Sequence, residues 1–264
     1  MATKPKKNAR YDLNAADRRR NLLIQIGLTA IVVLLGVGLV LYIVTSGDKK
    51  PASGEAKSIR VSSSKVINKE GTSDPKAVVS LYEDFLCPHC RDFEQKFGPT
   101  ISQLIDSGAI AADFYMVAIL DSPSTNNYSS RAGAAAYCVA DESKDAFRRF
   151  HAALYALQPG ETGGSFPDDA RLVEVARQAG AGGSAPDCIK KGKYVPMVQG
   201  LAAATGTQST PTIKINGQAF EVTEATKPED LVAKVKEIVG DVPGLMTAPG
   251  APNPTQPVPP GAAP

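Results

Sequence analysis

The sequence predicts an α/β sandwich interrupted by a large helical insertion, with an apolar membrane-spanning segment before it. Three observations lead there. Short β-rich runs alternate with helical periodicities, as the α/β class requires. An alanine-rich block over residues 124–206 separates the second β-rich run from the third. One uninterrupted apolar stretch stands near the start, at residues 22–44.

The elements follow in chain order. Residues 1–21 are basic, with Lys4, Lys6, Lys7, Arg10, Arg18, Arg19 and Arg20 against Asp12 and Asp17. Residues 22–44 (LLIQIGLTAIVVLLGVGLVLYIV) contain one amide, Gln25, and no charge. At about 1.5 Å per residue the run can cross roughly 30 Å of hydrocarbon. It exceeds the ~7–15 residues of a signal-peptide core, and Thr45 to Asp48 makes a poor cleavage site. A buried core helix would not be so uniformly apolar around its circumference. The basic flank keeps residues 1–21 in the cytoplasm and exports everything after the span.

Residues 45–57 are small, polar and charged, and read as a tether. The domain proper runs from 58 to 240. Its first strand is 77–82 (AVVSLY), an apolar, β-rich run. A helix follows, with Phe93, Phe97, Ile101, Leu104 and Ile105 at helical spacing and Gly108 as its stop. The second strand is 112–120 (ADFYMVAIL), and the helical block with its Pro/Gly breaks comes next. Strand character returns at 212–215 (TIKI), then an Asn216-Gly217 turn, then 219–222, which is a hairpin signal. An amphipathic helix over 228–239 closes the domain. Residues 241–264 hold eight prolines and one charge, a composition that builds no core.

Composition narrows the function. A chain of 264 residues, 43% hydrophobic, can bury one good core or two small ones. Its 29 basic and 27 acidic residues leave a net charge of +2, and there is no Trp, so nothing points to nucleic acid. The four cysteines lie beyond the span, on the side where disulfides persist.

Two of them sit in EDFLCPHC, residues 83–90, between a strand and a helix. A helix N-terminus offers unpartnered N–H groups and partial positive charge, which favours a thiolate at Cys87. Pro88 suits the first helical turn, and His89, when protonated, adds positive charge beside the sulfur. Cys90, about one turn on, is placed to attack a mixed disulfide at Cys87. Two other readings stand beside this one. A structural zinc site wants four ligands, usually two close pairs, whereas Cys138 and Cys188 are single and only His151 remains. An inert staple needs no two-residue loop at a strand-to-helix junction. No metal is expected. Oxidising surroundings and an even count pair Cys138 with Cys188 as a structural disulfide, with a redox shuttle as the alternative. His151 and the pair Arg148 and Arg149 read as ordinary helix residues, the arginines on a solvated face, and 132–136 as helix packing.

A strand leading into Cys87-Pro88-His89-Cys90, a helical insertion, then Thr210-Pro211 opening a strand resembles the DsbA-like branch of the thioredoxin fold over residues 58–240. The resemblance implies a thioredoxin-like fold, with the insertion between the second and third core strands. It implies a cis-proline at Pro211 beside the cysteines and substrate-backbone contact from Thr210. It implies no organic cofactor, since the Cys87–Cys90 disulfide is the redox group. The partners it implies are reduced or unfolded exported proteins and a quinone-linked membrane oxidase of the DsbB or vitamin K epoxide reductase type. The expected activity is disulfide donation; a reductase or isomerase, or a non-catalytic peptide-binding module, are the alternatives. One departure concerns the family's buried acid, six residues before the first cysteine, where this chain has Leu81. Glu83 shares that strand face and is the candidate substitute. The simpler expectation leaves Glu83 and Asp84 solvated at the strand end.

Overall fold

The computed structural model describes residues 26–28, 57–161 and 165–242. Of the expected membrane span only 26–28 are described, as helix. The rest of it, the basic tail, nearly all of the tether and the proline-rich tail after 242 lie outside the described residues. Among the described residues no helix is long and apolar enough to cross a membrane.

Five strands form one sheet in the order β1-β3-β2-β4-β5. They are β1 (Ile59–Ser62), β2 (Val78–Glu83), β3 (Ala111–Met116), β4 (Thr212–Ile215) and β5 (Gln218–Ala219). Helix α1 (Pro88–Asp106) connects β2 to β3, which pair in parallel, while β4 pairs antiparallel with β2. A parallel pair needs a crossover of that length, which is why the helix lies against the sheet. Between β3 and β4 run α2 (Tyr128–Glu142), α3 (Lys144–Ala156), α4 (Asp169–Gln178), α5 (Ala185–Lys190) and α6 (Val195–Thr205). Helix α7 (Pro228–Val239) follows the hairpin and packs on α1. The mixed α/β, thioredoxin-like architecture with a helical insertion is therefore the observed one.

The hairpin turns on Asn216 (φ 48°) and Gly217 (φ 83°), the left-handed pair that a two-residue turn demands. Asn216 also fastens the hairpin to β2. Its side chain accepts from the Val78 N–H at 2.8 Å and donates to the Lys76 carbonyl at 3.1 Å. Gly108 (φ 79°), expected as the helix stop, is required for a second reason. A Cβ there would stand 2.3 Å from the Lys65 carbonyl oxygen.

The structure corrects several boundaries. Strand β1 was not expected; it is four residues long and only Ile59 and Val61 face the core. What secures it is a cross-strand pair, Arg60 gripping the buried Asp113 of β3 through Nε at 2.7 Å and Nη2 at 2.6 Å. Strand β3 ends at Met116 rather than 120, because the Leu120 N–H is captured by the Asp84 carboxylate at 2.9 Å instead of by a strand. The hairpin's return strand is two residues, not four. Arg148 and Arg149 are not a solvated face. Arg148 bridges to Asp106 at 2.7 Å and to Ser102, while Arg149 donates to the Ala179 carbonyl at 2.8 Å. Residues 132–136 pack inside α2 as expected.

Candidate active site at the strand-to-helix junction

Cys87 is the N-cap of α1 and Pro88 opens its first turn, where the missing N–H leaves no bond unmade. Cys87 and Cys90 are free and buried, at 5% and 0% exposure, while His89 is exposed. As a thiol, Cys87 Sγ donates to the Thr210 carbonyl at 3.4 Å. The Thr210–Pro211 peptide is cis, so the loop before β4 brings that carbonyl to the sulfur.

The two thiols are driven apart electrostatically. Cys87 is pulled from 9.0 down to about 5, first by a hydrogen bond from the Cys90 thiol, then by the Thr210 side chain and the N–H groups of Cys90 and His89, against the opposing effect of burial. Burial pushes Cys90 strongly up, and the neighbouring Cys87 and Glu83 add to it. The sequence credits the helix end and the His89 charge. The leading cause is instead Cys90, and His89 acts through its backbone N–H.

Glu83 and Asp84 are fully buried, which overturns the solvated reading. Glu83 continues the inward face of Val79 and Leu81, and its Oε2 lies 2.8 Å from His151 Nε2 on α3. His151 is boxed by Phe85, Phe114, Phe147 and Tyr155, with ring centroids 5.1–5.6 Å away. That apolar box lowers its pKa. On the other side, His151 Nδ1 faces Glu94 Oε2 at 3.7 Å. Burial raises both Glu83 and Glu94 to about 8, and each carboxyl acts on the other, pulling Glu83 down and pushing Glu94 up. The three residues offer metal-ligand atoms within 4.8 Å of one another. However, the ring nitrogens already face the two carboxyls, and the carboxyls face each other. One oxygen of each carboxyl, Glu83 Oε1 and Glu94 Oε1, is buried without a hydrogen-bond partner.

Asp84 ties the loop itself. Its Oδ1 accepts from the Leu86 N–H and its Oδ2 from the Leu120 N–H, both at 2.9 Å. Burial raises it to about 6. Gln158, just beyond α3, donates through Nε2 to the carbonyls of Phe85 and Cys87, each at 2.9 Å. Neither role is visible in the sequence. Glu94 was also missed, although its spacing on α1 from Cys87, seven residues, puts it on the same helix face two turns along. Cys138 and Cys188 are joined by a disulfide that links α2 to α5, away from Cys87 and Cys90, which remain free.

A thioredoxin family model matches residues 68–237. The fold also superposes with TM-score 0.70 on the crystal structure of reduced DsbA from Mycobacterium tuberculosis, at 60% identity over 72% of this chain and 95% of that one. The chain is a DsbA-like member of the thioredoxin family. It is a thiol-disulfide oxidoreductase of the DsbA type. The reduced form of the disulfide oxidoreductase DsbG from the same organism gives TM-score 0.69 and 61% identity, covering 73% of this chain and 92% of that one. A further relative is the serine/threonine-protein kinase PknE of M. tuberculosis, 30% identical over 147 residues. That stretch is 54% of this DsbA-like chain but only 25% of the kinase, so the chain spans about a quarter of the curated relative.

Proposed function

We propose that this DsbA-like protein is anchored in the cell membrane by residues 22–44 and donates disulfides to exported proteins outside the cytoplasm. The observation that carries the reading is the divergence of the two thiols, Cys87 lowered to about 5 and Cys90 raised beneath it. A disulfide whose first sulfur is stable as a thiolate once released is a good electron acceptor.

In the oxidised enzyme a substrate thiolate attacks Cys87 Sγ. The bond to Cys90 breaks, and the electron pair goes to Cys90 Sγ, which takes up a proton. A second substrate thiol, losing its proton to solvent, attacks the substrate sulfur of the mixed disulfide and frees Cys87 as a thiolate. The substrate has lost two electrons and two protons; the enzyme holds both electrons and one proton. Pro88 and His89 shape the first turn, and the backbone N–H groups of His89 and Cys90 support the thiolate. Thr210 and Pro211 form the rim against which the substrate backbone lies. Glu83 is the buried acid that exchanges the Cys90 proton, and Cys138–Cys188 is a structural staple. Reoxidation falls to a quinone-linked membrane oxidase.

Cys87→Ser decides the matter. In oxidative refolding of a reduced multi-cysteine protein, the variant should be inactive; full activity would overturn the assignment. The reduction potential then sets direction. We expect a value nearer the roughly −120 mV of DsbA than the roughly −270 mV of thioredoxin, and a thioredoxin-like value would make the protein a reductase.

A further inference from the structure

We propose that Glu94 and His151, together with Glu83, store the proton that Cys90 gains on reduction, and that this proton exchanges with solvent through the cleft between α1 and α3 instead of the substrate face. The inference rests on the disulfide exchange proposed above and extends it to a route.

The need for a route follows from burial. Cys90 has no exposed surface, and Cys87, the sulfur in front of it, is bonded to substrate at the moment Cys90 needs its proton. Glu83 is near enough for its charge to act on Cys90. Behind Glu83 the path continues. His151 Nε2 is 2.8 Å from Glu83, and its Nδ1 faces Glu94 at 3.7 Å. Glu83 Oε1 and Glu94 Oε1 are both buried with no hydrogen-bond partner, a lack that a proton held between the two neighbouring carboxyls would make good.

The path then meets an opening. A surface cleft is lined by Glu94, His151, Gly98, Ser102, Arg148 and Ala152 among others, and by none of Cys87, His89, Thr210 or Pro211. Gly98 keeps it open at the acid, because a Cβ there would stand 2.8 Å from Glu94 Oε2. The titratable groups packed around the store are Cys87 and Cys90, Glu83 and Asp84 at the end of β2, Glu94 on α1, and His151 and Tyr155 on α3. Arg148, at the cleft, is held by Asp106 at 2.7 Å, so it is not paired to the store.

On reduction, one proton passes from the carboxyl pair to Cys90, and the pair is reloaded from solvent through the cleft. On reoxidation by a disulfide or quinone-linked oxidant, the same proton returns to the pair and leaves by the same way. No electrons pass through the carboxyls.

The test is stopped-flow reduction of the oxidised full-length protein by a reduced dithiol peptide. The rate is normalised to peptide thiolate from pH 6 to 9, with thiolate appearance followed at 240 nm. In the parent the normalised rate should hold to about pH 8 and fall above it, where the buried carboxyls lose their proton. Glu94→Gln keeps the volume but cannot carry the proton; it should react about tenfold more slowly, less than the roughly 10²- to 10⁴-fold of a direct general acid because Glu83 remains. Glu94→Asp should recover most of that rate, and Ala152→Leu, which narrows the cleft without removing a carboxyl, should show a deficit of its own. Glu94→Gln and Ala152→Leu with the parent's rate and pH profile would overturn the proposal. A slow Glu94→Gln beside an unchanged Ala152→Leu would overturn the exit route. Because the parent must first prove active, failure of the route is distinct from failure of the disulfide exchange.

Discussion

Reducing the Cys87–Cys90 disulfide should make stability depend on pH in a way the oxidised protein does not share. Cys87 ordinarily titrates at 9.0 and in the reduced fold at about 5. A thiol whose folded value is depressed contributes stability that is fully present above its unfolded pKa and is lost as pH falls through the folded one. At 1.36 kcal/mol per tenfold difference, the two tenfold steps from about 5 to pH 7 give the reduced form about 3 kcal/mol relative to pH 4. Cys90 adds nothing in this window, because its raised thiol stays protonated throughout. Asp84, raised to about 6, and Glu83 and Glu94, raised to about 8, pull the other way, since the native state holds protons that the unfolded chain has lost. Burial does this in both redox forms, so the difference between forms isolates the sulfur together with its charge's own effect on Glu83 and Asp84. Urea unfolding of reduced and oxidised protein at pH 4, 5.5 and 7, with thiols counted at each point, reads that difference. By the thermodynamic cycle, 3 kcal/mol on the reduced side is about 60 mV of oxidising power. A difference that is flat, or that shrinks toward neutral pH, would refute the depressed thiolate and with it the donor assignment.

Cys90→Ala removes the largest support of the Cys87 thiolate, so its titration, followed at 240 nm, should move up by about 1 to 2 pH units; an unmoved midpoint would return the credit to the helix end. Gln158→Ala strips two donors from the carbonyls of Phe85 and Cys87. It should lower stability by about 1–2 kcal/mol in denaturant unfolding, and an unchanged midpoint would show that water replaces the clamp. Cys138→Ala with Cys188→Ala opens a loop spanning 50 residues. Unfolding should then require about 4 kcal/mol less in the loop-entropy model, with disulfide exchange retained; loss of exchange in a still-folded protein would turn the staple into a shuttle.

Much of the fold was legible because each of its signals is local. The apolar run of β2, the helical spacing from Phe93 to Ile105 and the Asn216-Gly217 turn need no knowledge of partners. Strand β1 was illegible because Ile59 and Val61 are too few to mark a strand, and its register depends on Arg60 finding Asp113, 53 residues away. The site divides the same way. Cys87, Pro88 and Cys90 announce themselves through spacing, whereas the burial of Glu83 depends on α3 closing over it with His151, 68 residues later. A carboxylate at a strand end looks solvated until the opposite wall is known. Gln158 carries no motif at all; only the fold brings its amide to two main-chain carbonyls.

That amide has a consequence for how the architecture can be altered. The helical insertion looks detachable, a module slotted between two strands of a common frame. Yet its second helix, α3, supplies His151 and Tyr155, and the residue just past that helix pins the main chain on which the reactive sulfur sits. A chimera that exchanged this insertion for a relative's, joined cleanly at residues 122 and 206, would keep every strand and both cysteines. It would still inherit the donor's sulfur chemistry along with the donor's helices. The frame carries the cysteines, while much of their tuning travels with the part that looks like cargo.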